Sequence, residues 1–429
     1  MAMTAEIAIL NREAVALAAD SAVTMLGPSG EKIFTSANKL FTLSKYNPVA
    51  VMIYGNALFM EVPWETIIKI YRKRLRNKSF SSIKEYAQDF ISFLTSVEGI
   101  FTEKNQKVYF ERAVYSYLDF LKENIRNSVK KELEKRALSD EDIQEIVEEV
   151  IREQILLWER AEESLDIPTN YHKKILESYK NDMERAIKEV LEKLPLGKST
   201  LKDIKNILAS LFYKFPQDLE YSGTSGIVIA GFGESEVFPS LIAYRMDGIL
   251  GGQLKYKIDA DHRITIDTNA IIIPFAQREM VHLFLEGVDR TYLHVELNYV
   301  RELLKEFLEL SKTWDKIGGL SSKKQEDIVN DILADFEEKL SRYRGERYTR
   351  PIMDVVASLP KSELALMAET LVNLTSLKRK WSTERETVGG PIDVALISKG
   401  DGFVWIKRKH YFDLELNPFF VEKYFKGVE

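Results

Sequence analysis

Apolar spacing in this chain changes period in long blocks, which admits few folds. Two short apolar runs, "TAEIAIL" and "AVALAAD", stand around the polar turn Asn11-Arg12-Glu13 and predict a β-hairpin. "KLFTL" and "VAVMIYG" then flank a second turn signal, Tyr46-Asn47-Pro48, while "MLGPSGE" reads as loop from its glycine and proline. Strands this apolar on both faces are expected to be covered on both sides. From Pro63 to about Pro216 the period becomes helical: Ile83, Tyr86, Ala87, Phe90 and Leu94 form one stripe behind Ser82 and Glu85 in capping-box positions. Ile143, Ile146, Val147, Val150 and Ile151 form another, with Ser139 as its N-cap, and a further helix is expected from Ser199 or Thr200. Strand patterns return from "SGTSGIVIAGFGESEVFPSLIAYRMDG" through "ITIDTNAIIIPFA". Helical ones follow at about 277–312, 322–343 and 362–380, the middle one behind Ser322 and Gln325 as a capping box. "PIDVALISKGDGFVWIK" closes the pattern with two strands around a Gly-Asp-Gly turn. Strands, helices, strands, helices, strands: that grouping predicts an α+β fold with two sheet layers and helices outside them.

Composition narrows the class. The 429 residues carry 60 Lys plus Arg against 66 Asp plus Glu, so no global attraction to nucleic acid is expected. With no cysteine in the chain, a disulfide framework, a thiolate metal site and a cysteine nucleophile are all excluded. No apolar run approaches the ~20 residues that span a bilayer, and the start lacks the pattern of a secretion signal. A cytoplasmic protein without membrane association is the expectation. His172, His262, His282, His294 and His410 are scattered without ligand spacing, so no metal site is expected. "GFGESE" lacks the third glycine of a dinucleotide loop and reads as a turn. "YRKRLRNKS" reads as a solvated helix end.

The chemistry sits in the first block. Thr4 opens the first predicted strand, Asp20 ends the second, Lys39 opens the third and Gly55 ends the fourth. Strand ends of one sheet can converge. An N-terminal threonine performs acyl transfer with few parts, its hydroxyl attacking and its own α-amine, of pKa about 7.7–8.0, acting as base. Such a site needs a cation to favour the deprotonated hydroxyl, a carboxylate to hold that cation, and a backbone N–H for the developing oxyanion.

"TAEIAILNREAVALAADSAVTM", "SANKLFTL" and "VMIYGNA" resemble the opening of proteasome β-type subunits and related N-terminal nucleophile hydrolases. "GIVIAGFGESEVFPSLIAYRMDG" and "GGPIDVALI" resemble that superfamily's later strands. The resemblance implies an αββα sandwich of two antiparallel sheets between helices, built from residues 4–60 and 222–410. An all-helical insertion would occupy 61–221, a second helical extension 298–360 and a C-terminal tail 411–429. It implies a threonine-type protease or amidohydrolase, without cofactor, acting on a peptide or other amide through an acyl-enzyme. Thr4 would be nucleophile and base, Asp20 would support Lys39, and Gly55 N–H would form the oxyanion hole. A homo-oligomer, ring or open, is implied, with the insertion available as a lid or for docking a partner. A catalytically inactive scaffold and a small-molecule amidohydrolase are the alternatives. The chain departs from the family pattern at "AIIIPFAQ", where an assisting serine is absent and Gln277 is the polar substitute, and at "STERETVGGPID", which offers Glu384 and Thr387. Met1-Ala2-Met3 precede Thr4, so the amine is exposed by initiator-methionine removal from a start at Met3, by self-cleavage after Met3, or not at all.

Overall fold

A computed structural model describes residues 5–27, 30–216, 223–311, 322–381, 389–410, 412–413, 415–419 and 422. β1 (Ala5–Asn11) and β2 (Ala14–Ala19) form the expected hairpin. Asn11 closes its turn: the side-chain oxygen accepts from the N–H groups of Glu13 (3.0 Å) and Ala14 (3.2 Å), the local bonding that makes asparagine a turn residue. Next, β3 (Val23–Gly27) pairs with β4 (Gly30–Phe34) from Val23↔Phe34 to Gly27↔Gly30. This corrects the loop expected at "MLGPSGE". Its glycines end two paired strands, and only Pro28 and Ser29, outside the described residues, separate them. β5 (Leu40–Thr42) and β6 (Val49–Gly55) flank the predicted turn at 46–48, and the short β7 (Leu58–Phe59) and β8 (Val62–Pro63) follow.

The helical block comprises α1 (Trp64–Leu75), α2 (Ile83–Ser96), α3 (Glu103–Leu133), α4 (Asp140–Glu159), α5 (Tyr171–Ser178), α6 (Lys180–Leu191) and α7 (Lys198–Ser210). Two-residue strands β9 (Glu162–Glu163) and β10 (Lys214–Phe215) pair within it. Ser82 caps α2 by accepting from Glu85 N–H, but the Glu85 carboxylate accepts from Ser81 N–H and so does not close the expected box on Ser82. Ser139 caps α4 as expected and forms a reciprocal box with Asp142, while α7 starts at Lys198, just before the expected Ser199 or Thr200. Phe110, Leu118, Ile151, Met183 and Leu208 from α3, α4, α6 and α7 belong to one buried cluster.

The strands resume as β11 (Ser225–Gly231), β12 (Ser240–Leu250), β13 (Gln253–Arg263) and β14 (Ala270–Ala276). Two helices, α8 (Glu279–Glu286) and α9 (Arg290–Ser311), replace the single one expected over 277–312. Gly287 breaks it. At φ +72° it donates its N–H to Leu283 C=O as a left-handed cap, and Asp289 then accepts from Thr291 and Tyr292 N–H to start α9. α10 (Ser322–Arg344) runs through a π-helical segment, Gly345–Thr349, into α11 (Arg350–Ala357), and α12 (Lys361–Lys380) follows. β15 (Asp393–Ser398) and β16 (Gly402–Lys407) close the described fold.

Two five-stranded antiparallel sheets result, in the orders β14-β1-β2-β15-β16 and β13-β12-β11-β6-β5, so the class is α+β as expected. Leu10, Leu17 and Ala395 of the first sheet share a buried cluster with Met52, Val228 and Ala243 of the second. On the other face of the first sheet, Ile7, Ile9 and Val394 pack with Val281, Val356, Leu364 and Leu371 of α8, α11 and α12. Val51, Ile53 and Ile229 of the second sheet pack with Trp64, Ile68, Phe90 and Leu94 of α1 and α2. Each Val, Leu, Ile, Phe or Met side chain among them, fully buried, contributes about 1.5–3 kcal/mol. That double cover is why β1, β2 and β11 are buried along their whole length, and why their sequences do not alternate. Among the described residues no helix is long and apolar enough to cross a membrane.

Candidate active site

Strand alternation sets up the site. Along β1, Ile7 and Ile9 face the helices while Ala8 and Leu10 face the other sheet, so Glu6 shares the inter-sheet side with Ala8. Glu6 is opposite Ala19 of β2, and Asp20 is the next residue along. Lys39 stands at the mouth of β5 and its carbonyl accepts from Ile53 N–H of β6 (2.8 Å). Three strand ends therefore bring together Glu6, Asp20 and Lys39, all at most 2% exposed.

Lys39 Nζ lies 2.5 Å from Asp20 Oδ1 and 3.1 Å from Glu6 Oε1. Asp20 Oδ1 also accepts from Ala5 N–H (3.1 Å), while Oδ2 accepts from Ala22 N–H (3.3 Å) and Gly389 N–H (3.0 Å). Asp20 N–H in turn donates to Ala5 C=O at 3.1 Å. Ser21 Oγ donates to Pro391 C=O, and Ser21 N–H to Gly389 C=O at 3.2 Å, so the segment before β15 clamps the Asp20 turn. Taking three ionisable groups out of water costs several kcal/mol per ion, and apolar replacements of buried ion pairs are often neutral or stabilising. That cost singles the cluster out as the candidate centre.

Of the sequence-derived candidates, Asp20 and Lys39 are in direct contact. Gly55 ends β6 two residues beyond Ile53. Its φ is +75° and a Cβ there would come within 2.8 Å of Thr224 O, so only glycine fits. Thr4 lies outside the described residues, as do Glu384 and Thr387. Glu6 was not anticipated, although its signal was in the sequence as a lone charge on the inward side of a buried strand.

Gln277 is 6% exposed and follows Ala276, the cross-strand partner of Ala5. Ala276 has φ +60°, a left-handed conformation unusual for a residue with a Cβ. Arg379 Nε of α12 donates to Gln277 Oε1 at 2.9 Å, and its NH2 to Glu279 at 3.0 Å. Gln277 Nε2 is buried with no hydrogen-bond partner among the described residues. Nearby, Phe275, opposite Glu6, packs its ring 5.1 Å from that of Tyr54. Tyr54 OH donates to Asp259 (2.6 Å), which also receives Arg245 (3.1 Å) and Arg278 (3.3 Å). Asp259 is the extra residue of a bulge in β13, the device that re-aims a side chain. Burial first, then the Asp259 carboxylate, pushes the Tyr54 phenol well above its ordinary value. A second bulge makes Asp247 the extra residue of β12, and its carboxylate lies 2.9 Å from Lys255 Nζ, which also donates to Leu211 C=O after α7 (2.7 Å). Among the described residues no group of three metal-ligating side chains is present.

No family model and no curated protein matches the chain. Among solved structures it is similar to "Anbu (ancestral beta-subunit) from Yersinia bercovieri", at 12% identity and a TM-score of 0.27, over 99% of this chain and 94% of that one. These findings correct the membership implied by the sequence resemblance. Short matching segments do not make a family when no family model matches and the backbone likeness is this low, so the chain is not assigned to the proteasome β-type subunits or the N-terminal nucleophile hydrolases.

Proposed function

We propose that this protein hydrolyses an amide, most usefully a peptide bond, through Thr4 once Thr4 is the first residue of the chain. One observation carries the reading: a single buried oxygen, Asp20 Oδ1, accepts both from Lys39 Nζ and from Ala5 N–H, which belongs to the peptide group joining Thr4 to Ala5. A buried ammonium is thus held two hydrogen bonds from the peptide unit of Thr4. Gly55 N–H is the proposed oxyanion donor.

The proton and bond changes run through Thr4 itself. Thr4 Oγ attacks the carbonyl carbon while its proton passes to the neutral α-amine. The Lys39 ammonium favours the negative charge on Oγ, and a single oxyanion donor is worth about 2.7–4 kcal/mol at the tetrahedral intermediate. Collapse breaks the C–N bond, the leaving amine takes the proton from the α-ammonium of Thr4, and an acyl ester on Thr4 remains. Water gives a proton to the α-amine and its oxygen attacks the ester, releasing the acid and restoring the threonine. Asp20 and Glu6 hold the Lys39 side chain in place. In this reading residues 4–60 and 222–410 make an αββα sandwich, with 61–221 as a helical insertion, 298–360 as an extension and self-association to enclose a peptide.

Intact mass of untagged protein begun at Met3, before and after a peptidyl epoxyketone, tests it. That electrophile takes up both a hydroxyl and a neighbouring free amine. Loss of Met3 and one adduct, absent from Thr4→Ala, is the expected result. A retained Met3, or a free Thr4 that forms no adduct, overturns the reading and leaves a scaffold.

A further inference from the structure

A buried donor beside the start of β1 is left without an acceptor. Gln277 is fixed from one side only. Arg379 donates to its Oε1, which settles the orientation of the carboxamide and directs the two Nε2 protons away from the guanidinium. That Nε2 is buried and has no partner among the described residues. Leaving such a donor unsatisfied costs about 1–3 kcal/mol, and an apolar side chain of the same volume would avoid the cost. The position is also held against local preference: Ala276 keeps a left-handed φ of +60° immediately before it. Strain of this kind gathers at functional sites.

Its place along the chain says what the donor is for. Ala276 is the cross-strand partner of Ala5, the residue bonded to Thr4, and Ala5 N–H is held by the Asp20 carboxylate that holds Lys39. Gln277, one residue beyond that pair, sits at the same sheet end as the cluster. We propose that Gln277 is a catalytic residue whose Nε2 donates to the acyl oxygen of the amide substrate, making a side-chain oxyanion donor beside Gly55 N–H, with Arg379 as its positioning residue. This rests on the Thr4 reading above. An amide NH2 suits the task because it is neutral, always protonated and a donor at every pH at which the threonine works. It selects an oxygen acceptor, so the ligand class is a carbonyl or carboxyl oxygen at the scissile position.

Two variants separate this role from packing. Gln277→Glu keeps an oxygen for Arg379 and loses the donor. Gln277→Met keeps the volume and loses both polar atoms. The rate of adduct formation with a peptidyl epoxyketone, whose ketone oxygen gains charge as Thr4 Oγ attacks, is followed by intact mass beside thermal melts. Both variants are expected to react roughly 10²–10³-fold more slowly at saturating reagent, with half-saturation within about threefold of the parent and the melting temperature of Gln277→Glu not lowered. Adduct formation at the parental rate in either folded variant overturns the proposal and leaves the Thr4 reading standing. So does slowing that appears only as weaker half-saturation, or only together with a fall in melting temperature. A parent protein that forms no adduct overturns both readings together.

Discussion

Replacing Asp20 by asparagine removes one charge and one acceptor while leaving shape almost unchanged, and the structure fixes what that costs. The carboxylate receives four hydrogen bonds, from Ala5 N–H and Lys39 Nζ on Oδ1 and from Ala22 and Gly389 N–H on Oδ2. An asparagine keeps one oxygen, and the better orientation leaves it toward Ala5 and Lys39. Its NH2 then faces the N–H groups of Ala22 and Gly389, two donors that lose their acceptor at about 1–3 kcal/mol each. Lys39 keeps Glu6 at 3.1 Å, so the full 3–5 kcal/mol or so of a broken buried pair is not lost. The expected destabilisation is about 2–6 kcal/mol, a large part of the ~5–15 kcal/mol that holds a domain folded. Urea unfolding followed by tryptophan fluorescence reads it, since Trp64 and Trp158 are buried in the sheet cover and the helical block. The slope of the transition should stay constant while the midpoint falls. A loss below ~1 kcal/mol would refute the reasoning, because it would mean that the four contacts are not made together in solution. The same variant, where folded, should also slow adduct formation at Thr4.

Gly55→Ala combines a left-handed backbone with a Cβ 2.8 Å from Thr224 O, and should cost more than ~1–2 kcal/mol in thermal melts; an unchanged melting temperature would show that β6 ends differently. Asn11→Ala removes the turn bonds to Glu13 and Ala14 and the donations to Val356 and Leu359 carbonyls, with an expected loss of roughly 2–4 kcal/mol by urea unfolding. Burial, and less so Asp261 and Asp166, pushes the Tyr244 phenol up to about 12. A raised folded-state value means that the native chain holds the proton more tightly, so the stability it contributes is complete below the ordinary ~10 and is lost as pH rises toward about 12. Ultraviolet titration of phenolate beside unfolding midpoints at pH 9 to 12 checks this, and Tyr244 ionising near 10 would contradict it.

Much of the architecture was legible because apolar spacing records which faces are covered. Apolar runs at β1, broken only by Glu6, and at β2 and β6 marked strands buried on both faces, and the stripe at Ile83–Leu94 marked a helix with one face against a sheet. Caps and turns written in adjacent residues were legible too, as at Ser139 and at Asn11 to Ala14. The hairpin hidden in "MLGPSGE" and the break at Gly287 were not, since glycine and proline signal a change of direction without saying what stands on either side.

The site divides along the same line. Thr4, Asp20, Lys39 and Gly55 could be chosen from sequence because each is a polar or glycine residue at the end of an apolar strand. That Asp20 and Lys39 meet could not be chosen, because strand order is decided by pairing across the chain: β14 joins β1 across more than 250 residues, and β15 joins β2 across more than 370. That pairing brings Gly389 N–H to Asp20 and sets Gln277 one residue past the partner of Ala5. It also encloses Glu6, an ordinary strand carboxylate by sequence, with a lysine and a second carboxylate where water is excluded. Sequence determined which segments must be buried; tertiary structure alone decided which charges are buried together, since the energy of a charge depends on its neighbours and their solvent rather than on its place in the chain.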